Sequence, residues 1–130
     1  MEQPTTKPRI LVVDDEKANR DWIVRLLERK GYAMTTAVDG QSALDAVSAD
    51  PPDLVLLDLR MPGLDGFDTV RVLKSRPEQA ALPILFMSGF PEKNRVLFAG
   101  QTGAVDFLPK PLDMKALVGK VLAILTKPAA

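Results

Sequence analysis

The sequence predicts an α/β fold: a doubly wound, five-stranded parallel sheet with five flanking helices, three layers in all. Three observations predict it. The nearly unbroken apolar runs RILVV, LVLL and ILFMS read as strands buried on both faces. The stretches between them carry apolar residues at helical spacing. The chain has 130 residues, 46% of them apolar, which is the size and composition of one globular domain.

RILVV at 9–13 is the first strand. Over 16–30, Ala18, Trp22, Ile23, Leu26 and Leu27 fall at helical spacing, which assigns Trp22 to the core, and Gly31 stands where a C-terminal capping glycine belongs. Residues 33–37 form a short second strand. Asp39 then caps a helix over 41–49 that carries Ala43, Leu44 and Val47 and stops at Pro51 and Pro52. LVLL at 54–57 is the third strand. The third helix starts near Asp65, buries Phe67, Val70 and Leu73, and ends before Pro77. ILFMS at 84–88 is the fourth strand. A fourth helix over 92–101 contains Gly100, and an interior glycine costs about 1 kcal/mol relative to alanine. AVDFL at 104–108 is the fifth strand. Asp113 caps the last helix, whose Leu117, Val118, Val121, Leu122 and Leu125 recur at i, i+1, i+4, i+5 and i+8. Residues 9–126 thus make one domain, with flexible tails at 1–8 and 127–130.

Composition excludes several kinds of chemistry. Seventeen Lys and Arg balance seventeen Asp and Glu without clustering, which leaves no basic footprint for nucleic acid. With no cysteine there is no disulfide, thiolate nucleophile or Cys-ligated zinc. With no histidine there is no Ser-His-Asp triad, no His-x-x-x-His metal site and no histidine to carry a phosphoryl group. The polar start MEQPTTKPR lacks the apolar core of a signal peptide, and no run is long enough to span a membrane, so a soluble, cytoplasmic protein is expected.

In such a sheet, ligands gather beyond the carboxyl ends of the strands. The first strand ends in Asp14, Asp15 and Glu16, the third in Asp58, the fourth in Ser88, and the fifth, past Pro109, in Lys110. Singly, each has an ordinary reading as a helix cap, a turn hydroxyl or a solvated lysine. In the 2-1-3-4-5 order of a flavodoxin-like sheet, however, the first and third strands are neighbours and three carboxylates converge. Carboxylates that close either share protons or need a cation, and hard oxygen donors without His or Cys suit Mg²⁺.

LVVDDE at 11–16, LVLLDLRMPGLDG at 54–66, FMSG at 86–89 and FLPKP at 107–111 together resemble the receiver domain of two-component response regulators, over nearly the whole chain. The resemblance implies that Asp58 accepts a phosphoryl group from a phosphohistidine on a histidine kinase or histidine phosphotransfer protein. It implies that Asp14, Asp15, Asp58 and the backbone carbonyl of Arg60 hold Mg²⁺, or Mn²⁺ in its place, and that Lys110 contacts the phosphoryl group. Ser88 becomes the switch hydroxyl, Phe107 the switch aromatic, and Lys110–Pro111 a cis peptide. The surface of the fourth helix, fifth strand and fifth helix would then control a downstream partner or, in a longer protein, an attached effector domain. Such a domain is no enzyme beyond its own phosphorylation and slow self-dephosphorylation.

Phe107 stands where tyrosine is frequent, Ser88 where threonine is commoner, and Gly89 where alanine is frequent. Arg60 and Phe90, two residues beyond Asp58 and Ser88, occupy places that tune phosphoryl lifetime in receivers. Two other classes compete with this reading. A receiver-like interaction module that takes no phosphate is disfavoured by the complete acidic set with Lys110. A Mg²⁺-dependent phosphohydrolase with an aspartyl nucleophile would want a second Asp where Arg60 stands.

Overall fold

The computed structural model describes residues 7–59, 61, 63–89 and 106–126. In chain order they form β1 (Arg9–Val13), α1 (Lys17–Arg29), β2 (Ala33–Ala37), α2 (Gly40–Ala49), β3 (Leu54–Asp58), α3 (Gly66–Lys74), a 3₁₀ turn (Pro77–Gln79), β4 (Ile84–Ser88), β5 (Asp106–Pro109) and a C-terminal helix (Met114–Thr126). The helix expected over 92–101 and the start of the expected fifth strand lie outside the described residues.

All strand pairs are parallel and the sheet order is β2-β1-β3-β4-β5. The register sets Ile10 opposite Leu54, Asp58 opposite Met87 and Ser88 opposite Pro109. β5 runs one residue beyond its expected end, into Pro109. Proline lacks an N–H, but β5 is an edge strand and tolerates the loss.

Because side chains alternate along a strand, the sheet feeds two cores. Leu11, Val13, Val55, Leu57, Ile84, Phe86 and Phe107 pack with Ala43, Leu44, Val47, Val70 and Leu73 of α2 and α3. Ile10, Val12, Leu54, Leu56, Leu85, Met87 and Leu108 pack with Ile23, Leu26 and Leu27 of α1 and with Leu117 and Val121 of the C-terminal helix. Continuing that alternation carries Asp14, Asp58 and Lys110 to the α1 side, and Ser88 with Phe107 to the α2–α3 side.

The helix ends follow their residues. Gly31 adopts φ +97°, and past the C-cap Lys30 the N–H groups of Gly31 and Tyr32 reach back to the carbonyls of Glu28 and Leu27, a Schellman closure. Asp39 forms a capping box with Ser42, while the carboxylates of Asp65 and Asp113 accept from the N–H groups of Asp68 and Ala116. α1 differs: its N-cap is Glu16, which makes no side-chain cap bond.

Ala18, Trp22, Phe67 and Leu122, four residues read at core-facing positions, are less buried than expected. Trp22 is 39% exposed, and Ala18 is also exposed. The buried stripe of α1 is Ile23, Leu26 and Leu27, and one turn earlier the same stripe continues as half-buried Asn19 and Arg20. Trp22 lies about 100° round the helix from Ile23. Leu122 is 51% exposed for the same reason, standing one residue past Val121 on a helix that buries only Leu117 and Val121. Phe67 is half-buried and lies tilted against Phe86, with ring centroids 6.1 Å apart.

Candidate functional site

The order β2-β1-β3 reverses direction at β1, so the crevice opens between the carboxyl ends of β1 and β3. Asp14 sits there fully buried. Its N–H donates to the carbonyl of Ala37 at 3.2 Å, and its carbonyl accepts from Arg20 Nη1 at 2.8 Å. Asp14 Oδ1 accepts from the N–H of Glu16 at 2.9 Å, an Asx-type turn that starts α1. Asp14 Oδ2 accepts from Lys110 Nζ at 3.3 Å and from Asn19 Nδ2 at 3.4 Å. The carboxylate that could have been a helix cap is therefore held at the rim instead.

Asp58 ends β3 with its side chain 5% exposed, and its Oδ2 accepts from Lys110 Nζ at 3.1 Å. It is thus less open than an acidic residue beside a Pro-Gly loop would suggest. The loop beyond it is tethered: Leu59 N–H donates to the Met87 carbonyl, Gly66 N–H donates to the Leu59 carbonyl, and Met61 is buried. Gly63, at φ +76°, makes the turn that a side chain would strain.

Lys110 enters from the end of β5, its N–H donating to the Ser88 carbonyl at 2.7 Å, and the Lys110–Pro111 peptide is cis. Burial disfavours its ammonium, but the charges and hydrogen bonds of Asp58 and Asp14 outweigh burial and hold its pKa above the ordinary lysine value. Ser88 is fully buried at the end of β4, and Phe107 is buried in the α2–α3 core. Arg60, whose carbonyl was an expected ligand, and Phe90 lie outside the described residues.

Asp15 is exposed, yet among the described residues Asp14, Asp15 and Asp58 each offer a carboxylate oxygen within 4.8 Å of the others. A donor set made only of carboxylate oxygens fits a hard divalent cation such as Mg²⁺. Beside it, a cleft of about 510 Å³ is lined by Glu16, Asn19, Trp22, Lys110, Pro111 and Leu112.

Two site neighbours, Asn19 and Arg20, were not read from the sequence. They stand four and three places before Ile23, on the continuation of the buried stripe of α1 toward the rim, but the sequence alone leaves open which of two adjacent stripes is buried.

Fold and site define a doubly wound α/β protein with a lysine-bridged acidic centre at its switch point. More particularly, the chain belongs to the response regulator receiver domain family, whose model matches residues 10–122. It is 40% identical over 119 residues to the response regulator MprA of Mycolicibacterium vanbaalenii, covering 92% of this chain and 51% of that protein. To the response regulator PleD of Caulobacter vibrioides it is 41% identical over 120 residues, covering 89% of this chain and 26% of that protein. The chain therefore spans about half the length, or less, of these relatives. Chemotaxis response regulator CheY4 of Vibrio cholerae superposes with a TM-score of 0.85 at 26% identity, covering 92% of this chain and 99% of that one. The receiver domain of NtrX from Brucella abortus gives 0.82 at 34% identity, covering 92% and 99%. Among the described residues no helix is long and apolar enough to cross a membrane.

Proposed function

We propose that Asp58 accepts a phosphoryl group from a phosphohistidine of a histidine kinase or histidine phosphotransfer protein, in a reaction that depends on Mg²⁺ held by Asp14, Asp15 and Asp58. The observation that carries this is the single ammonium of Lys110 lying 3.1 Å from Asp58 and 3.3 Å from Asp14, with Asp15 within ligand reach.

In this reading an Asp58 carboxylate oxygen attacks phosphorus, an O–P bond forms, and the P–N bond to the donor imidazole breaks. The transition state is loose, with charge spread over the equatorial oxygens, so placement and cationic stabilisation dominate. Bound Mg²⁺ supplies charge neutralisation at those oxygens. Lys110, released from its bridge to Asp58, donates Nζ–H to a phosphoryl oxygen. The Ser88 hydroxyl does the same from β4, and its movement shifts the packing around Phe107. The phosphoryl group thereby biases two arrangements of the surface at β5 and the C-terminal helix, read by a downstream partner or an attached effector domain. The domain acts in the cytoplasm and catalyses nothing beyond its own phosphorylation and slow dephosphorylation.

The test is intact-mass measurement after incubation with Mg²⁺ and acetyl phosphate, and with a phosphorylated histidine phosphotransfer protein. One added phosphoryl mass is expected for wild type, and none for Asp58→Asn or after chelation of Mg²⁺. A wild-type mass that never changes would leave only a phosphate-independent interaction module.

A further inference from the structure

The geometry points to Arg20 as a positioning residue for the acidic turn at 14–16, which sets the affinity of the site for Mg²⁺; this rests on the reading that Asp14, Asp15 and Asp58 hold that ion. Arg20 stands in the first turn of α1 and folds its guanidinium back six residues, where Nη1 donates to the carbonyl of Asp14 at 2.8 Å. The N–H of Asp14 is already fixed to the Ala37 carbonyl of β2 at 3.2 Å. Asp14 is thus held from both sides, by β2 through its N–H and by α1 through its carbonyl.

The carbonyl matters more than its neutral charge suggests. It belongs to the peptide plane joining Asp14 to Asp15, and that plane sets the direction in which the Asp15 side chain leaves the backbone. One hydrogen bond from Arg20 therefore governs two carboxylates, one fully buried and one exposed. Asn19 complements it by donating to Glu16 Oε1 at 2.7 Å at the far end of the same turn. The bond from Arg20 goes to a backbone atom, so its work is to hold the turn.

Two physical effects of Arg20 on a divalent cation have opposite signs, and this makes the inference testable. As a field, a guanidinium near the acidic rim repels Mg²⁺, so its removal would tighten binding. As a positioning group, it presents the ligands correctly, so its removal weakens binding. Loss of a residue that orients a metal ligand typically costs about tenfold in affinity.

The experiment is calorimetric titration of Mg²⁺ into the full chain, comparing wild type with Arg20→Gln, Arg20→Lys and Lys17→Gln. Lys17 is an exposed control, paired with Asp21 at 2.7 Å on the outer side of the same helix turn. Expected are a Kd about tenfold weaker for Arg20→Gln, a smaller weakening for Arg20→Lys, which keeps the charge but alters the reach, and for Lys17→Gln a value within about twofold of wild type. Unchanged or tighter binding by Arg20→Gln would overturn the inference and leave only a field effect. Should Arg20→Gln fail to fold, Arg20→Lys carries the test alone, wild-type affinity overturning the inference. Absence of Mg²⁺ binding by wild type would sink both this inference and the functional reading beneath it.

Discussion

Lys110 Nζ lies 3.1 Å from Asp58 Oδ2, so the nucleophile proposed for phosphoryl transfer is occupied by a protein cation. The same ammonium reaches Asp14 at 3.3 Å, and it therefore competes with any metal for two of the three carboxylates. Lys110→Met should bind Mg²⁺ more tightly, by about tenfold, since removing a unit charge a few ångströms away is worth over 1 kcal/mol even when screened. Without metal the variant should lose about 1–3 kcal/mol, below the range for a fully buried pair because the lysine side chain is 21% exposed. Adding Mg²⁺ should then raise its Tm more than that of wild type. Weaker Mg²⁺ binding by Lys110→Met would show that the ammonium helps to build the cation site.

The pH dependence of that bridge has a definite sign. Burial lowers the Lys110 pKa, but Asp58 and Asp14 more than reverse this and leave it raised. A raised lysine contributes stability that is complete below its unfolded value of about 10.4 and is lost as pH climbs through the folded value. The stability difference between wild type and Lys110→Met should be level from about pH 7 to 9 and shrink above about pH 10.4. Denaturant titrations across that range would check it; a difference that shrinks already between about pH 7 and 9 would point to another group.

Gly66 presses the start of α3 against the end of β3, at Asp58 and Leu59. A Cβ there would stand 2.7 Å from Leu59 Cα and 2.8 Å from the Asp58 carbonyl oxygen, both backbone atoms that cannot swing aside. Gly66→Ala should cost about 1–3 kcal/mol in urea unfolding, as overpacking does, although alanine is the better helix former. Acetyl phosphate labelling of Asp58 should slow as well, because the same shift moves the end of β3.

Asp39 tests the acid side. Its carboxyl is held below the usual range by hydrogen bonds from the Ser42 N–H and then from the Ser42 hydroxyl. A depressed carboxyl contributes stability that is present above the unfolded value of about 3.9 and lost as pH falls through the folded one. Asn is also a good N-cap. Asp39→Asn should therefore have a lower Tm than wild type near neutral pH, with the gap closing below about pH 4. An unchanging gap would place the effect in geometry rather than in charge.

What could be read in advance follows from how each feature is encoded. β1 and β4 begin and end at their expected residues because Pro8 and Asp14 bracket one apolar run and Pro83 and Gly89 the other. β2, the mixed AMTTA with Thr35 and Thr36 exposed, keeps its expected bounds between the Gly31 end of α1 and the Asp39 cap of α2. Asp39, Asp113 and Gly31 were legible as caps because few residue types do those tasks, and Asp65, expected only as the start of the third helix, caps it. Asp14, Asp58 and Lys110 could be brought together once sheet order was known, since topology carries strand ends to one rim. The phase of α1 was not legible. Its apolar residues at 18, 22, 23, 26 and 27 cover two adjacent stripes, and the one that won continues as Asn19 and Arg20, because its first turn lies over the acidic rim. The Arg20 bond to a backbone carbonyl leaves no paired charge in the sequence to betray it.

The neighbours Trp22 and Ile23 turn that correction of phase into a measurement. Ile23 is fully buried among Leu26, Leu27 and the inner residues of β1, whereas Trp22 is 39% exposed and lines the cleft with Pro111 and Leu112. Size alone would make the tryptophan the costlier residue to truncate, by about 3–5 kcal/mol if it were core. Its placement reverses the order. Ile23→Ala should cost about 2–5 kcal/mol by leaving a cavity, and Trp22→Ala less, about 1 kcal/mol, because its indole is covered only in part and water can fill the space it leaves. Trp22 is also the chain's single tryptophan, so its fluorescence reports the same point without mutation. In the folded protein its emission should be readily quenched by iodide, and unfolding should change the emission maximum little. A blue-shifted, quencher-resistant Trp22 would return it to the core and reverse the predicted order of the two variants.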